Sequence, residues 1–312
     1  MRDDIKIIDL DKGDIDLSEK CVSLGNFDGV HKGHQKLMKV NIELSERLNL
    51  TPSVLLFKEN TKLTVGDEEE YITSLDDKIE ILAAMGIKTF TLIEFSEKFR
   101  SLSPEDFVEK IIKERLNAKA LVVGIDYKFG KYAAGNVDTL RSFEEAYDFK
   151  THVVEFEVDG DYKISSRNIR KVLKEGNIRK AKEYLERPYR IKGEVVHGFK
   201  RGRELNFPTA NLKLDFNYVI PTDGVYLTEV DIDGEKFFGL TNIGTNPTFE
   251  NDERKIETYI LDFNRDIYGK KISIDFLEFF RGDYKFDSRE GLIKQMEMDK
   301  ALAHQVINEK YL

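Results

Sequence analysis

At 312 residues the chain is longer than a usual single domain and predicts two. A formal net charge of -9, with 34% charged and 40% hydrophobic residues, argues against a general binder of nucleic acid or anionic membrane and allows ordinary cores. The single cysteine, Cys21, rules out an internal disulfide and a cysteine metal cluster, and the charged Met1-Arg2-Asp3-Asp4 start with no long apolar run predicts a cytoplasmic enzyme without signal peptide or membrane span.

In chain order, Cys21-Val22-Ser23-Leu24 reads as the end of a buried strand. A glycine-rich turn follows, and residues 35–48 carry Leu37, Met38, Ile42, Leu44 and Leu48 at helical spacing. Short apolar runs at 51–57, 88–95, 120–124 and 152–158 then alternate with helical patterns, which predicts a parallel sheet. Ser74 with Asp77 three residues on starts a helix over 75–85, with Gly86 at its C-terminal cap. Ser103-Pro104-Glu105-Asp106 starts another, ahead of Phe107, Val108, Ile111 and Ile112. Residues 167–175 and 177–185 form two helical runs around Gly176, and the pattern changes at Arg187-Pro188.

Beyond that point strands alternate with turns. Residues 225–232, Asp233-Gly234 and 235–243 read as a hairpin, and 257–263 and 271–279 as further strands. Residues 288–311 close the chain as a helix with Leu292, Ile293, Met296 and Leu302 toward the core. A small β-barrel with a C-terminal helix is the expected package, since closure removes sheet edges.

Within the first turn, Gly25-Asn26-Phe27-Asp28-Gly29-Val30-His31-Lys32-Gly33-His34 places two of the five histidines at i and i+3 on one helix face. Free amides at a helix N-terminus favour a phosphate, and Gly29 and Gly33 let the backbone come close to it. The run resembles the H-x-G-H signature of nucleotidylyltransferases, in which the histidines stabilise charge on the ATP phosphates. In the second half, Gly198-Phe199-Lys200-Arg201-Gly202 is a basic glycine loop leading to Phe207-Pro208-Thr209-Ala210-Asn211.

Together these stretches resemble the bacterial bifunctional riboflavin kinase/FAD synthetase family over almost the whole chain, the F-P-T-A-N motif matching without change. The resemblance implies an α/β fold: a Rossmann-like nucleotidylyltransferase domain with a parallel sheet over 1–186, then a riboflavin kinase β-barrel with a terminal helix over 187–312. It implies a flavoprotein-biosynthesis transferase that makes FMN from riboflavin and ATP, then FAD from FMN, with Mg2+ as cofactor and ATP as co-substrate. Its partners are then riboflavin, FMN, FAD and ATP, with no nucleic acid and no membrane expected and protein partners left open. Thr209 and Asn211 correspond to the residues that hold magnesium and the ATP phosphates, through oxygens suited to a hard cation. Glu257, opening Glu257-Thr258-Tyr259-Ile260-Leu261-Asp262-Phe263, corresponds to the general base on the riboflavin 5'-hydroxyl. Arg281 corresponds to a position near flavin and nucleotide, as does the Gly244-Thr245-Asn246-Pro247-Thr248-Phe249 loop.

For adenylyl transfer the resemblance points to His31 and His34, with Asn26, Asp28 and Gly33 in the phosphate loop. Gly124-Ile125-Asp126-Tyr127-Lys128-Phe129-Gly130 resembles a family loop in which Asp126 orients nucleotide or flavin. Ile164-Ser165-Ser166-Arg167-Asn168-Ile169-Arg170 resembles I-S-S-T-x-I-R, where Ser165, Ser166 and Arg170 meet phosphate. Two departures stand out. Phe57-Lys58-Glu59-Asn60-Thr61 replaces the family's F-x-P-H-P stretch, and Arg167 replaces a threonine. They leave open a riboflavin kinase whose adenylyltransferase half is weakened or inactive. A flavin sensor without catalysis would not need Thr209, Asn211, Glu257, His31 and His34 intact. Adenylyl transfer to a different phosphorylated acceptor is a third reading, against which the attached barrel points to FMN.

Overall fold

The computed structural model describes residues 5–58, 70–160, 162–198, 207–245 and 254–312. The chain forms two compact units, one of residues 1–69 and 73–166, the other of 70–72 and 167–312.

In the first unit, strands β1 (Lys6–Asp9), β2 (Lys20–Leu24), β3 (Thr51–Phe57), β4 (Thr89–Ile93), β5 (Ala118–Gly124) and β6 (Lys150–Val154) form one parallel sheet in the order β1-β4-β3-β2-β5-β6. Helices α1 (Lys32–Leu48), α2 (Leu75–Ala84), α3 (Glu97–Arg100), α4 (Pro104–Phe107) and α5 (Val137–Tyr147) fill the crossovers. Alternate strand residues enter different cores. Cys21, Val54, Leu56, Ala120 and Val122 pack with Leu37, Met38 and Leu44 of α1. Val22, Leu24, Leu55, Leu121 and Val123 pack with Phe107, Ile111, Ile112 and Leu140. A parallel sheet covered on both faces needs such apolar strands, which is why these runs show no polar alternation.

Ser74 caps α2 with the reciprocal Asp77 contact, as its sequence predicts. The helix expected from Phe107 onward is instead α4 followed by a π-helical turn, Val108–Lys113. The strand expected over 152–158 stops at Val154, where its β5 partner also ends at Gly124. Residues beyond it form a small hairpin of β7 (Val158–Asp159) and β8 (Tyr162–Lys163).

In the second unit, β9 (Tyr189–Val196), β10 (Ala210–Leu214), β11 (Gly224–Ile232), β12 (Glu235–Thr245), β13 (Arg254–Ile260) and β14 (Lys271–Gly282) close an antiparallel barrel in the order β10-β13-β12-β11-β14-β9. Helices α6 (Ser166–Lys174) and α7 (Ile178–Leu185) precede it, α7 packing on β9 and β14. The β11–β12 turn is Asp233-Gly234, both at positive φ (55° and 87°), the conformation a two-residue hairpin demands. Alternation sends Thr228, Thr241 and Thr258 inward, where their hydroxyls link at 2.9 Å. It sends Val225, Leu227, Leu240 and Leu277 outward, beneath the terminal helix α8 (Arg289–Lys310).

The inward stripe of α8 differs from expectation. Asp299, Ala303 and Ile307 are buried, Leu292, Ile293 and Met296 are half-buried at the helix start, and Leu302 is exposed. The helix is turned so that Asp299 meets Arg281, and the i, i+4, i+8 stripe follows from that ion pair.

Candidate functional site

The strand order of the first unit reverses beside β2: β3 and β4 lie on one side, β5 and β6 on the other. A doubly wound sheet opens its crevice at such a switch point, outside the carboxyl ends of the strands. The β2 end there is Gly25 to His34, and the β5 end is Gly124 to Gly130. Between them opens a cleft of about 1020 Å³, lined among others by Asn26, His34, Asp126 and the rings of Phe57, Phe95, Phe99, Tyr127 and Phe129.

Within the loop, Phe27, Gly29 and Val30 all take positive φ (52°, 82° and 40°), a conformation that neighbouring contacts must hold in Phe and Val. Thr73 supplies them. Its backbone N–H donates to Asp28 Oδ1 at 3.2 Å, and its Oγ1 accepts from the Gly29 N–H at 2.8 Å. The Asp28 side chain is buried, and Ser166 Oγ donates to the Asp28 carbonyl at 2.8 Å. The chain then enters α1 with His31 as N-cap, its side chain making no capping bond to the helix. The imidazoles of His31 and His34 stack with ring centres 3.7 Å apart and planes 21° apart, and Phe27 meets His34 edge-on at 5.3 Å. A Cβ on Gly33 would lie 3.3 Å from the His31 ring, so glycine there leaves the imidazole its place over the first turn. The first-turn amides of α1 and two imidazoles therefore present donors at one spot, an arrangement suited to polyphosphate.

Asp126 is exposed at the cleft and accepts from Lys163 Nζ at 2.7 Å, while that ammonium lies 3.4 Å from the Phe156 ring centre. Tyr127 and Phe129 stack at 5.8 Å, and burial pushes the Tyr127 phenol well above its ordinary pKa. Phe57 meets Phe95 and Phe99 edge-on at 4.9 and 5.5 Å. Lys58 pairs with Asp9 and, at 2.9 Å, with Asp11, while Glu59, Asn60 and Thr61 lie outside the described residues. Ser165 is half-buried before α6; Arg167 is exposed and Arg170 half-buried on that helix, in the stretch grouped with the second unit.

The second unit brings three predicted residues together. Asn211 on β10 stands opposite Glu257 on β13, and the Thr209 hydroxyl lies 3.5 Å from Glu257 Oε2. Asn242 on β12 pairs with Glu257 from the other side, and beyond it come Val225 and Arg281. Asn211, Glu257, Asn242, Val225 and Arg281 thus form one row across the outer barrel face, because paired antiparallel residues share a face. Gly198 lies against this row: a Cβ there would stand 2.4 Å from Asn211 Nδ2, so any larger residue would displace the Asn211 amide. Arg281 is engaged by Asp299 of α8, with Nη2 donating to Oδ2 at 2.8 Å and Nε to both carboxylate oxygens. Thr209 also lines a pocket of about 430 Å³ with Pro208, Phe263, Arg265 and Tyr268. Arg201, Gly202 and residues 246–249 lie outside the described residues.

Sequence reasoning offered Tyr127 and Phe129 as ring faces but missed Thr73, Asn242, Asp299 and the Phe57, Phe95 and Phe99 rings of the same wall. Thr73 precedes the recognised Ser74 cap, and Asn242 lies on the recognised second hairpin strand; only the partner contacts give them meaning.

The FAD synthetase family matches residues 14–168 and the riboflavin kinase family residues 185–307. The bifunctional riboflavin kinase/FMN adenylyltransferase of Listeria monocytogenes is 38% identical over 285 residues, 90% of each chain. That of Bacillus subtilis is 37% identical over 291 residues, 91% of each. A solved structure described as a macrolide-efflux protein from Streptococcus pneumoniae is similar with a TM-score of 0.88 at 33% identity, covering 96% of this chain and 99% of that one. Among the described residues no helix is long and apolar enough to cross a membrane.

Proposed function

The chain belongs to the bifunctional riboflavin kinase/FMN adenylyltransferase family, phosphorylating riboflavin to FMN and adenylylating FMN to FAD, and on that premise we propose which residues serve each step. The kinase domain covers residues 187–312 and the adenylyltransferase domain residues 1–186, a division supported by the reach of the two family matches. The enzyme works in the cytoplasm.

In the kinase step the riboflavin 5'-hydroxyl attacks the γ-phosphorus of ATP, and the bond to the β-bridging oxygen breaks. Glu257 accepts the hydroxyl proton. The nucleotide end of ATP takes the pocket beside Thr209, walled by Phe263 and Tyr268. Thr209 Oγ1, the Asn211 amide oxygen and the neighbouring Glu257 carboxylate are a hard-oxygen set that fits magnesium, with Thr209 and Asn211 holding it; Mg2+, when bound, neutralises phosphate charge. Arg281, fixed by Asp299, places a cation at the end of the same row. Gly198, Arg201 and Gly202 are assigned to binding the ATP phosphates.

In the second step the FMN phosphate attacks the α-phosphorus of ATP and pyrophosphate leaves. His31, His34 and the α1 amides stabilise the charge that spreads over the phosphates, and Asn26, Asp28 and Gly33 shape their loop. The flavin ring lies against Phe57, Tyr127 and Phe129, with Asp126 orienting it; Ser165, Ser166 and Arg170 bind phosphate. The observation that carries this reading is the convergence of His34, Asn26 and Asp126 on one aromatic-walled cleft at the switch point. Incubation with magnesium, ATP and either riboflavin or FMN, followed by chromatography, tests it. FAD from both substrates is expected; FMN from riboflavin with no FAD from FMN would leave the first cleft without its assigned reaction.

A further inference from the structure

One wall of the pocket beside Thr209 is a loop with little apolar burial of its own. Residues 261–270 join β13 to β14 and bring Phe263, Arg265, Ile267 and Tyr268 to the lining. Of these four, Ile267 is buried, Phe263 and Tyr268 are half-buried and Arg265 is exposed. Such a loop opens easily unless other contacts hold it. The β11–β12 hairpin turn supplies them. Arg265 forks onto Glu235, Nη1 donating to Oε1 at 2.9 Å and Nη2 to Oε2 at 3.0 Å, and Lys270 pairs with Asp233 in the turn itself. The same guanidinium lies 5.0 Å from the Phe237 ring centre and 4.9 Å from that of Phe263, and the two rings meet edge-on at 5.0 Å.

An isolated exposed ion pair contributes little, but two parallel hydrogen bonds and two ring contacts on one guanidinium fix its geometry. Resting on the reading of this pocket as the seat of the nucleotide end of ATP, we infer that Arg265 is a positioning residue for riboflavin phosphorylation, bracing Phe263 and its loop against Glu235 and Phe237 of β12. The pocket wall is then in place before ATP arrives, which lowers the ordering cost of binding. The Arg265 fork is turned to Glu235, so its part is to hold the wall rather than to meet the nucleotide. The guanidinium in turn holds the Glu235 carboxyl below the usual carboxylate range, which keeps the pair charged. The effect falls on ATP binding and leaves the chemistry at Glu257 alone.

Steady-state riboflavin phosphorylation by the full-length enzyme tests this, with Arg265→Met, Glu235→Gln and the double variant. For R265M the KM for ATP rises about three- to tenfold while kcat stays within about twofold, a split that a damaged barrel would not give. E235Q shifts KM in the same direction, and the double variant is no worse than R265M, because the two residues form one brace. Three outcomes overturn the inference: an unchanged KM for ATP in R265M, multiplying effects in the double variant, or a lower KM in E235Q. The last would mean that a guanidinium freed from Glu235 meets ATP itself. Phe263→Ala in the same series separates the two claims. If its KM for ATP is that of wild type, the pocket reading fails; if it rises while R265M binds ATP normally, only the role of Arg265 falls.

Discussion

Asn211 and Glu257 stand directly opposite each other on β10 and β13, and the Thr209 hydroxyl reaches the same carboxylate at 3.5 Å. The proposed general base and the two residues proposed to hold magnesium thus share one patch, although 46 positions separate Asn211 from Glu257 (257 − 211). Replacing the base while keeping its shape isolates its contribution. Glu257→Gln is expected to lower kcat of riboflavin phosphorylation by about 10² to 10⁴-fold, while FAD formation from supplied FMN continues. Kinase turnover within a few-fold of wild type would remove Glu257 from its role.

The stacked His31 and His34 rings predict the converse split. On the proposed role of the two histidines, His31→Ala and His34→Ala each remove a donor to the phosphates, so adenylylation of FMN should fall about a hundredfold or more. Phosphorylation of riboflavin by the same preparations should persist, which also serves as the check on folding. A variant that made FAD at the normal rate would show that the charge is stabilised elsewhere.

Local chemistry was legible in the chain. The Ser74–Asp77 box, the Asp233-Gly234 turn and the His31/His34 pair each depend on residues within a few positions, and the structure forms all three. The parallel sheet and the barrel followed from strand spacing. What was hidden depends on distant partners: Thr73 acquires its place only by meeting Asp28, 45 positions away, and the face of α8 is set by Arg281 on β14. Apolar periodicity nominated Leu302 for the core, but a buried ion pair at Asp299 outweighed it.

Cys21 on β2 is fully buried, with Asn41 donating to its carbonyl at 3.1 Å. Burial pushes its thiol up to about 12 from an ordinary 9.0, a Ser45 contact opposing this weakly. The folded state therefore holds the proton more tightly than the unfolded chain. That contribution to stability is complete below about 9 and is lost as pH rises toward 12. Iodoacetamide at a pH of about 8, below the ordinary thiol pKa, should leave the native thiol unmodified by mass spectrometry while labelling it in denaturant. Rapid labelling of the folded enzyme would contradict this placement of the side chain.

Asp299 offers the sharpest separation of fold from chemistry in the barrel unit. It is 5% exposed and receives three hydrogen bonds from the Arg281 guanidinium and one from Gln295, so it couples α8 to the strand that ends the Glu257 row. Asp299→Asn keeps the volume but removes the charge, leaving the largely buried Arg281 with a weaker partner. Loss of a buried partner costs about 3 kcal/mol, and calorimetry should show the barrel transition moving down while the sheet unit's transition stays in place. Because Arg281 then loses its fixed orientation, the KM for riboflavin should rise more than kcat falls, and adenylylation of FMN should be unaffected. A stability loss without any change in riboflavin KM would confine the Arg281–Asp299 pair to holding α8 on the barrel.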